Sequence, residues 1–481
     1  MPYARVLAAE DELGMASVYV LFWFDVEDCS VPQSDDAAKR LALILERNGV
    51  RGTMKIVGQK ARILEQRIRY DVIDALKHHD IGFHSNWHGL RPQVAEYLAP
   101  LGWEEGAAEF ARREYPGVLD VRRLFGVNPV TYGQPGPNWA PQVFPVLRQW
   151  GIPTYVSGFG YVGLDCQPFW YGGVLCTSHM YGNRLNGQAQ NHFMGLNFEL
   201  GKPGELEKHK EVFSRSHVQL SGTSGLISII NHPCTLVLED WFTTYLKPRD
   251  LTEAGYQHFE EFVRWVLSHD NVRPICASDL PNLYPDRAFN RHFSREEIKR
   301  VVAGLREEVS FQRLDDCALS AAEAFSMLTR CLRAFCESGQ LPDGMICIPT
   351  YNPTSQPCSV VSEVAVSWEE FCRANAEVAD YINWKRKLPA CVRIEGASVA
   401  PADFLAALAR VLASLYDGKA PPEQVQIVPT SRCFEHYVDE EAAHSGWNSV
   451  MMLPGFTAPG LVELAKLGAW TLKPAILQAR G

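Results

Sequence analysis

From about residue 17 to residue 280, short apolar runs alternate with amphipathic segments, and nothing else in the 481 residues constrains the fold as much. VYVLFWF (18–24) reads as a buried strand, and residues 35–49 follow as a helix that Gly49 closes. GTMKIVG (52–58) reads as a second strand, a helical stretch runs from Lys60 to His79, and DIGFHS (80–85) is a third strand. VNPVTYG (127–133), IPTYVS (152–157), LISIINHP (226–233) and VRPICASDL (272–280) continue the series, with QVFPVLRQWG as a helical segment among them. Strands that alternate with helices pair in parallel and carry the helices outside, in an open sheet or a (β/α) barrel. Six or more such units in about 265 residues suit a barrel, complete or incomplete.

After about Asn290 the character changes. Ser294/Glu297, Ser320/Glu323 and Ser367/Glu370 each have the spacing of a capping box, which marks a helix start. Residues 319–350 align without gaps on residues 399–430, both reading helix, turn, Pro, short extended run and Pro-Thr, and residues 366–396 give a weaker third copy. This is a repeat of structural units more than of sequence. A chain this long exceeds the roughly 250–300 residues at which one core usually stops growing. The expected organisation is therefore an α/β barrel over 1–288 and a mainly helical repeat domain over 289–481, which packs on the barrel or forms a homo-oligomer interface.

The balance of 46 basic and 56 acidic residues gives a net charge of −10. Without a dense Lys/Arg cluster, such a chain is a poor candidate for gripping nucleic acid or an anionic membrane. The 13 cysteines are scattered without a CxxC pair, so they suggest neither a zinc ribbon nor a disulfide framework. Free, mostly buried thiols in a reducing compartment are expected. The N-terminus lacks the charged-then-apolar order of a signal peptide, and the early apolar run 18–24 falls far short of the roughly 20 residues that a membrane span needs. A cytoplasmic location is expected.

Four polar constellations follow successive strands. Asp25, Glu27 and Asp28 stand directly after VYVLFWF, whose apolar character would hold carboxylates near a core where ionisation is costly without a partner. As a site they would suit a metal or a general base, and as a structural feature they would solvate a loop or cap a helix. His84 and His88 in HSNWH are four residues apart and can reach one ion, although such a spacing also arises by chance. Two histidines and one carboxylate form a recognised catalytic metal set. Gln134 lies in the stiff loop GQPGPNW (133–139), which could place an amide and the indole of Trp139 near a ligand. His232 ends the strand ISIINHP, where a general acid would sit, although a lone histidine there is more often structural.

The order FDVED, HSNWH, GQPG, ISIINHP resembles the polysaccharide deacetylase family, the NodB-homology fold of carbohydrate esterase family 4, over roughly residues 17–285. That resemblance implies a distorted (β/α) barrel with a divalent metal, zinc foremost, with cobalt, manganese or iron as alternatives. His84 and His88 would be ligands with one carboxylate of the first motif. Glu27 shares a strand face with Asp25, Asp28 is equally placed in sequence, and the choice between them stays open. Asp25 would be the general base that deprotonates water on the metal, and His232 the general acid that protonates the leaving amine. The activity implied is hydrolysis of a carbon–nitrogen bond, the deacetylation of an N-acylated amine or amino sugar, on a small-molecule or saccharide substrate. An allantoinase-like cyclic amide hydrolase and a non-catalytic binding barrel are the alternatives.

Two departures from the family pattern stand out. Its first motif usually carries adjacent aspartates, and the loop residue that is usually Arg, paired with the catalytic Asp, is Gln134 here. A neutral amide cannot hold down the pKa of that Asp as a cation would. The segment Gly158–Gly163 spells GxGxxG, yet no helix pattern and no acidic residue at dinucleotide-binding spacing follow it. The aromatic stretch from Trp150 to Tyr181 suits a pocket wall to which Trp87 and Trp139 could belong, a core role being equally open to both. His179 and Asp165 lie in that stretch. The C-terminal pattern is faintly similar to pseudomurein-binding repeats, which attach to cell-wall polymers.

Overall fold

The computed structural model describes residues 16–158, 160–177, 191–306, 308–357, 363–394 and 396–478. Phe159 of the Gly-rich motif, His179 and the first 15 residues, on which the signal-peptide expectation rests, lie outside the described residues. Two compact units interleave along the sequence. The first draws on Met1–His88, Glu114–Pro135 and Arg184–Leu280, and the second on Gly89–Arg113, Gly136–Asn183 and Pro281–Gly481.

The first unit is built on a parallel sheet. Its strands are β1 (Val18–Val26), β2 (Thr53–Ile56), β3 (Asp80–Phe83), β4 (Thr131–Tyr132), β5 (Asn191–Gly195), β6 (Gly225–Asn231) and β7 (Val272–Ile275). Their order is β4-β3-β2-β1-β6-β5. β6 pairs with β1 from Val18 to Phe24, so β7, at Val18–Leu21, and β2, at Trp23–Val26, must share the other edge of β1. A strand flanked in this way is central, and all nine residues of β1 are buried. Helices Gln33–Arg47, Glu205–Leu220 and Arg249–Leu267 supply crossovers. This is the curled α/β barrel sheet that the alternation of apolar runs implied. The single helical stretch expected over 60–79 is instead two helices, Gly58–Gln66 and Tyr70–Leu76. They part at Ile68, whose φ of 56° lies in the left-handed region that a helix cannot pass through.

The second unit is mainly helical. Its longest helices, Ala321–Ser338, Trp368–Lys385 and Pro401–Tyr416, are the three expected repeats, and each is followed by a short strand: Gly344–Ile346, Val392–Ile394 and Gln424–Ile427. Helix Arg295–Leu305 adds a fourth copy, led by strand His292–Ser294, which pairs antiparallel with Gly344–Ile346. The capping boxes at Ser294 and Ser320 are closed in both directions, and Ser367 accepts from the Glu370 N–H. Antiparallel strands Phe169–Tyr171 and Val174–Cys176 also belong to this unit. Among the described residues no helix is long and apolar enough to cross a membrane. The cysteines depart from expectation at one point: Cys391 is disulfide-bonded, whereas ten others are free thiols.

Candidate active site

β1 delivers two carboxylates to its C-terminal end on one face. Asp25 is its penultimate residue and Glu27 follows one residue past its end, as period-2 alternation requires. β3 ends at Phe83 and hands the chain to His84, whose backbone N–H bonds the Ile56 carbonyl of β2 at 3.0 Å. The HSNWH loop is then clamped from several sides. Gly58 and Gln59 N–H groups donate to the Ser85 and Asn86 carbonyls at 2.9 Å, and the Asn86 N–H donates to Glu114 at 2.6 Å. Gly58 must be glycine here, because a Cβ would lie 2.7 Å from both Asn86 Oδ1 and Gly117 Cα.

Three side chains converge. The Nε2 atoms of His88 and His84 lie 2.8 and 3.2 Å from the same oxygen of Glu27, Oε2. His84 Nδ1 sits 2.7 Å from the Gly133 carbonyl, an acceptor only, so Nδ1 carries the proton and Nε2 presents its lone pair. A lone pair and a carboxylate oxygen 3.2 Å apart repel each other unless a cation lies between them. The donor set of one carboxylate and two imidazoles thus fits a divalent metal such as zinc, with the Gly133 carbonyl fixing the imidazole tautomer as second partners do in metal sites. Asp25, Glu27 and His232 form an overlapping triangle of the same kind.

Burial pushes the Glu27 carboxyl up, but the imidazoles of His88, His232 and His84 outweigh it and bring its pKa well below the ordinary value. Burial holds His84 toward its neutral form, whereas for His88 the nearby Glu27 charge outweighs burial and raises the pKa. Asp28, the other candidate ligand, turns away. Its carboxylate accepts from Ser30 Oγ at 2.5 Å and from the Ser30 and Val31 N–H groups at 3.2 and 3.3 Å, a local turn outside the cluster.

The structure also brings in a residue that sequence reasoning missed. Lys55, the partner of Asp25 in the β1–β2 register, is buried with Nζ 2.9 Å from Asp25 Oδ1 and 4.0 Å from the centre of the Trp23 ring. Gly82 on β3 makes room for it, since a Cβ there would stand 2.8 Å from Lys55 Cγ. Burial raises the Asp25 pKa, but His84, Lys55 and His232 together bring it below the ordinary aspartate value. Lys55 thus sets a cation beside Asp25 from the neighbouring strand. A lysine in the middle of the apolar run GTMKIVG was the available signal. Gln134 itself is buried.

His232 follows β6. Asn197 Oδ1 accepts from its backbone N–H at 3.2 Å and from Nδ1 at 3.0 Å, which leaves Nε2 facing Asp25 Oδ2 at 3.5 Å. Trp241 packs edge-on against the His232 ring at 4.8 Å and is 43% exposed. Trp87 is 44% exposed and stacks under the Arg62 guanidinium. Trp139, expected as a possible pocket wall, takes the core alternative: it is 2% exposed among Phe144, Tyr161 and Tyr171 of the second unit. Of the Gly-rich segment, the described residues 160–163 form no helix. They run instead beside residues 437–438, with the Gly163 N–H bonded to the Tyr437 carbonyl at 3.2 Å. Asp165 is exposed in a turn.

No protein-family model matches the chain, and no curated protein matches it. Solved structures similar to it include polysaccharide deacetylases and family 4 carbohydrate esterases, the group whose motif order the sequence resembles. A protein assigned as a polysaccharide deacetylase from Mycobacterium smegmatis is 17% identical over 56% of this chain and 90% of its own, with a TM-score of 0.37. A family 4 carbohydrate esterase from Streptomyces lividans is 12% identical over 54% and 92%, with a TM-score of 0.29. An allantoinase is 13% identical over 56% and 92%, with a TM-score of 0.39.

Proposed function

We propose that the chain is a metal-dependent hydrolase of a non-peptide amide bond, acting as a deacetylase on an N-acylated amine or amino sugar. The observation that carries this is the convergence of His84 Nε2 and His88 Nε2 on one oxygen of Glu27, beside the ion-paired Asp25. Glu27, His84 and His88 would hold the divalent cation, zinc foremost, which when bound polarises a carbonyl and lowers the pKa of water. Asp25, held ionised by Lys55, takes the proton from the attacking water. His232, whose Nδ1 is committed to Asn197, offers Nε2 to protonate the departing nitrogen. Trp241 and Trp87 give exposed aromatic surface on which a sugar face can rest. The reading keeps a small-molecule or saccharide substrate and a cytoplasmic location, with the repeat domain over 289–481 as the surface for self-association or polymer attachment.

The test is an amidase assay on N-acetylated amines and amino sugars with zinc, cobalt or manganese added. Activity should follow the metal. Asp25→Asn should abolish turnover while the metal stays bound, and His84→Ala should lose both. A protein that hydrolyses no N-acetyl substrate with any of the three metals overturns the proposal, and equal metal loss in the two variants overturns the division of roles.

A further inference from the structure

The second unit holds two thiols that the hydrolytic reading does not use. Cys336 lies near the end of helix Ala321–Ser338, and Cys372 in the first turns of helix Trp368–Lys385, 36 residues further on. Their Sγ atoms are 2.7 Å apart, Cys336 is exposed and Cys372 half-buried. The pairing is fixed by the helices themselves. Asn375 Nδ2 donates to the Thr329 carbonyl at 2.9 Å in the buried seam, Arg333 pairs with Asp380 across it, and Phe335 packs edge-on against Trp368. Among the described residues, the other free thiols are buried, apart from the half-buried Cys29.

We propose that Cys336 and Cys372 are a redox modification site, closed by low-molecular-weight disulfides into a bond that staples two repeat helices. The reaction runs by thiol–disulfide exchange. The Cys336 thiolate attacks a sulfur of glutathione disulfide, forming a protein–glutathione disulfide and releasing one glutathione thiolate, which takes a proton. Cys372, giving up its own proton to solvent, then attacks Cys336 Sγ and expels the second glutathione. Two protein thiols are oxidised and one glutathione disulfide is reduced to two glutathiones. The order of attack follows from access: Cys336 is exposed to an incoming disulfide, whereas Cys372 is half-buried behind it. An accessible thiol beside a resolving thiol is the arrangement that redox-responsive cysteines share.

The experiment incubates the full chain with glutathione disulfide, alkylates the remaining thiols and maps peptides by mass. The wild type should give one Cys336–Cys372 crosslink, about 2 Da lighter than the reduced pair, with no glutathione retained and full reversal by dithiothreitol. Cys372→Ser should instead retain one glutathione on Cys336, because no resolving thiol remains, and Cys336→Ser should leave Cys372 alkylatable. The proposal is overturned if wild-type Cys336 keeps its glutathione, or if both thiols stay fully alkylatable after the oxidant.

Discussion

Each unit of the molecule buries a cluster of charge, and the two clusters are built on opposite principles. In the second unit, Lys473 Nζ lies 2.7 Å from Asp286 Oδ1 and 2.9 Å from both oxygens of Glu323, and Glu323 also accepts from the Ser320 N–H and hydroxyl at 2.8 and 3.0 Å. All three ammonium protons are spent on acceptors, and the cluster ties a helix cap to the strand Lys473–Pro474. In the first unit, Lys55 Nζ lies 2.9 Å from Asp25 Oδ1, and His84 Nε2 presents its lone pair to the same Glu27 oxygen that His88 Nε2 approaches. Closed buried charge holds geometry. Charge left with acceptors converging is stable only when it takes up a cation or a proton.

Substitutions can break this contrast, the largest effect first. Glu27→Gln should cost about 1000-fold or more in turnover while changing the melting temperature of the metal-free protein little, because the amide oxygen can still accept from His88. Paired assays of activity and melting temperature would check it, and a metal-free variant that melts far lower would contradict the contrast. Lys473→Met should do the reverse. Two carboxylates lose their cation, which should cost about 3–5 kcal/mol in denaturant unfolding, with metal stoichiometry unchanged.

A pH effect comes next. His79 is buried, accepts from the Gly52 N–H on Nδ1 at 3.0 Å and donates from Nε2 to the Ala42 carbonyl at 3.1 Å, so the fold holds it neutral, and burial brings its pKa down to about 4. The unfolded chain binds this proton more readily. Stability is therefore complete above the unfolded pKa of about 6.5 and falls as pH drops toward 4, by about 3 kcal/mol from this group. Urea titrations should show that loss between pH 6.5 and 4, and His79→Gln should remove it. The smallest effect expected is Ser367→Ala, which deletes the hydroxyl that accepts from the Glu370 N–H and should cost about 1 kcal/mol.

The parts of the site that lie on one continuous stretch were legible in the sequence. Asp25 and Glu27 follow a strand whose alternation assigns their face, His84 and His88 share one motif, and His232 ends an apolar run. What was not legible came from neighbours in the sheet. Lys55 faces Asp25 only through the β1–β2 register, Gly82 matters only because Lys55 packs over it, and Asn197 meets His232 from a segment 35 residues away. That Asp28 stands apart from the two histidines follows from the Ser30 turn that captures it, a local hydrogen-bond contest that spacing cannot resolve. Three of the repeat helices were readable because the Ser294, Ser320 and Ser367 caps are each encoded within four residues, whereas helix Pro401–Tyr416 has no side-chain cap and was read from its pattern. The fourth copy and the pairing of its strand with Gly344–Ile346 needed the structure.

The central claim is that Glu27, His84 and His88 together hold one divalent cation. Elemental analysis of the full chain, reconstituted with zinc and freed of excess metal, tests it most directly. The account requires about one zinc per chain in the wild type and in Asp28→Asn, and strong depletion in Glu27→Gln and His84→Ala. A wild type that retains no zinc, or a Glu27→Gln variant that retains a full equivalent while Asp28→Asn loses it, would contradict the claim.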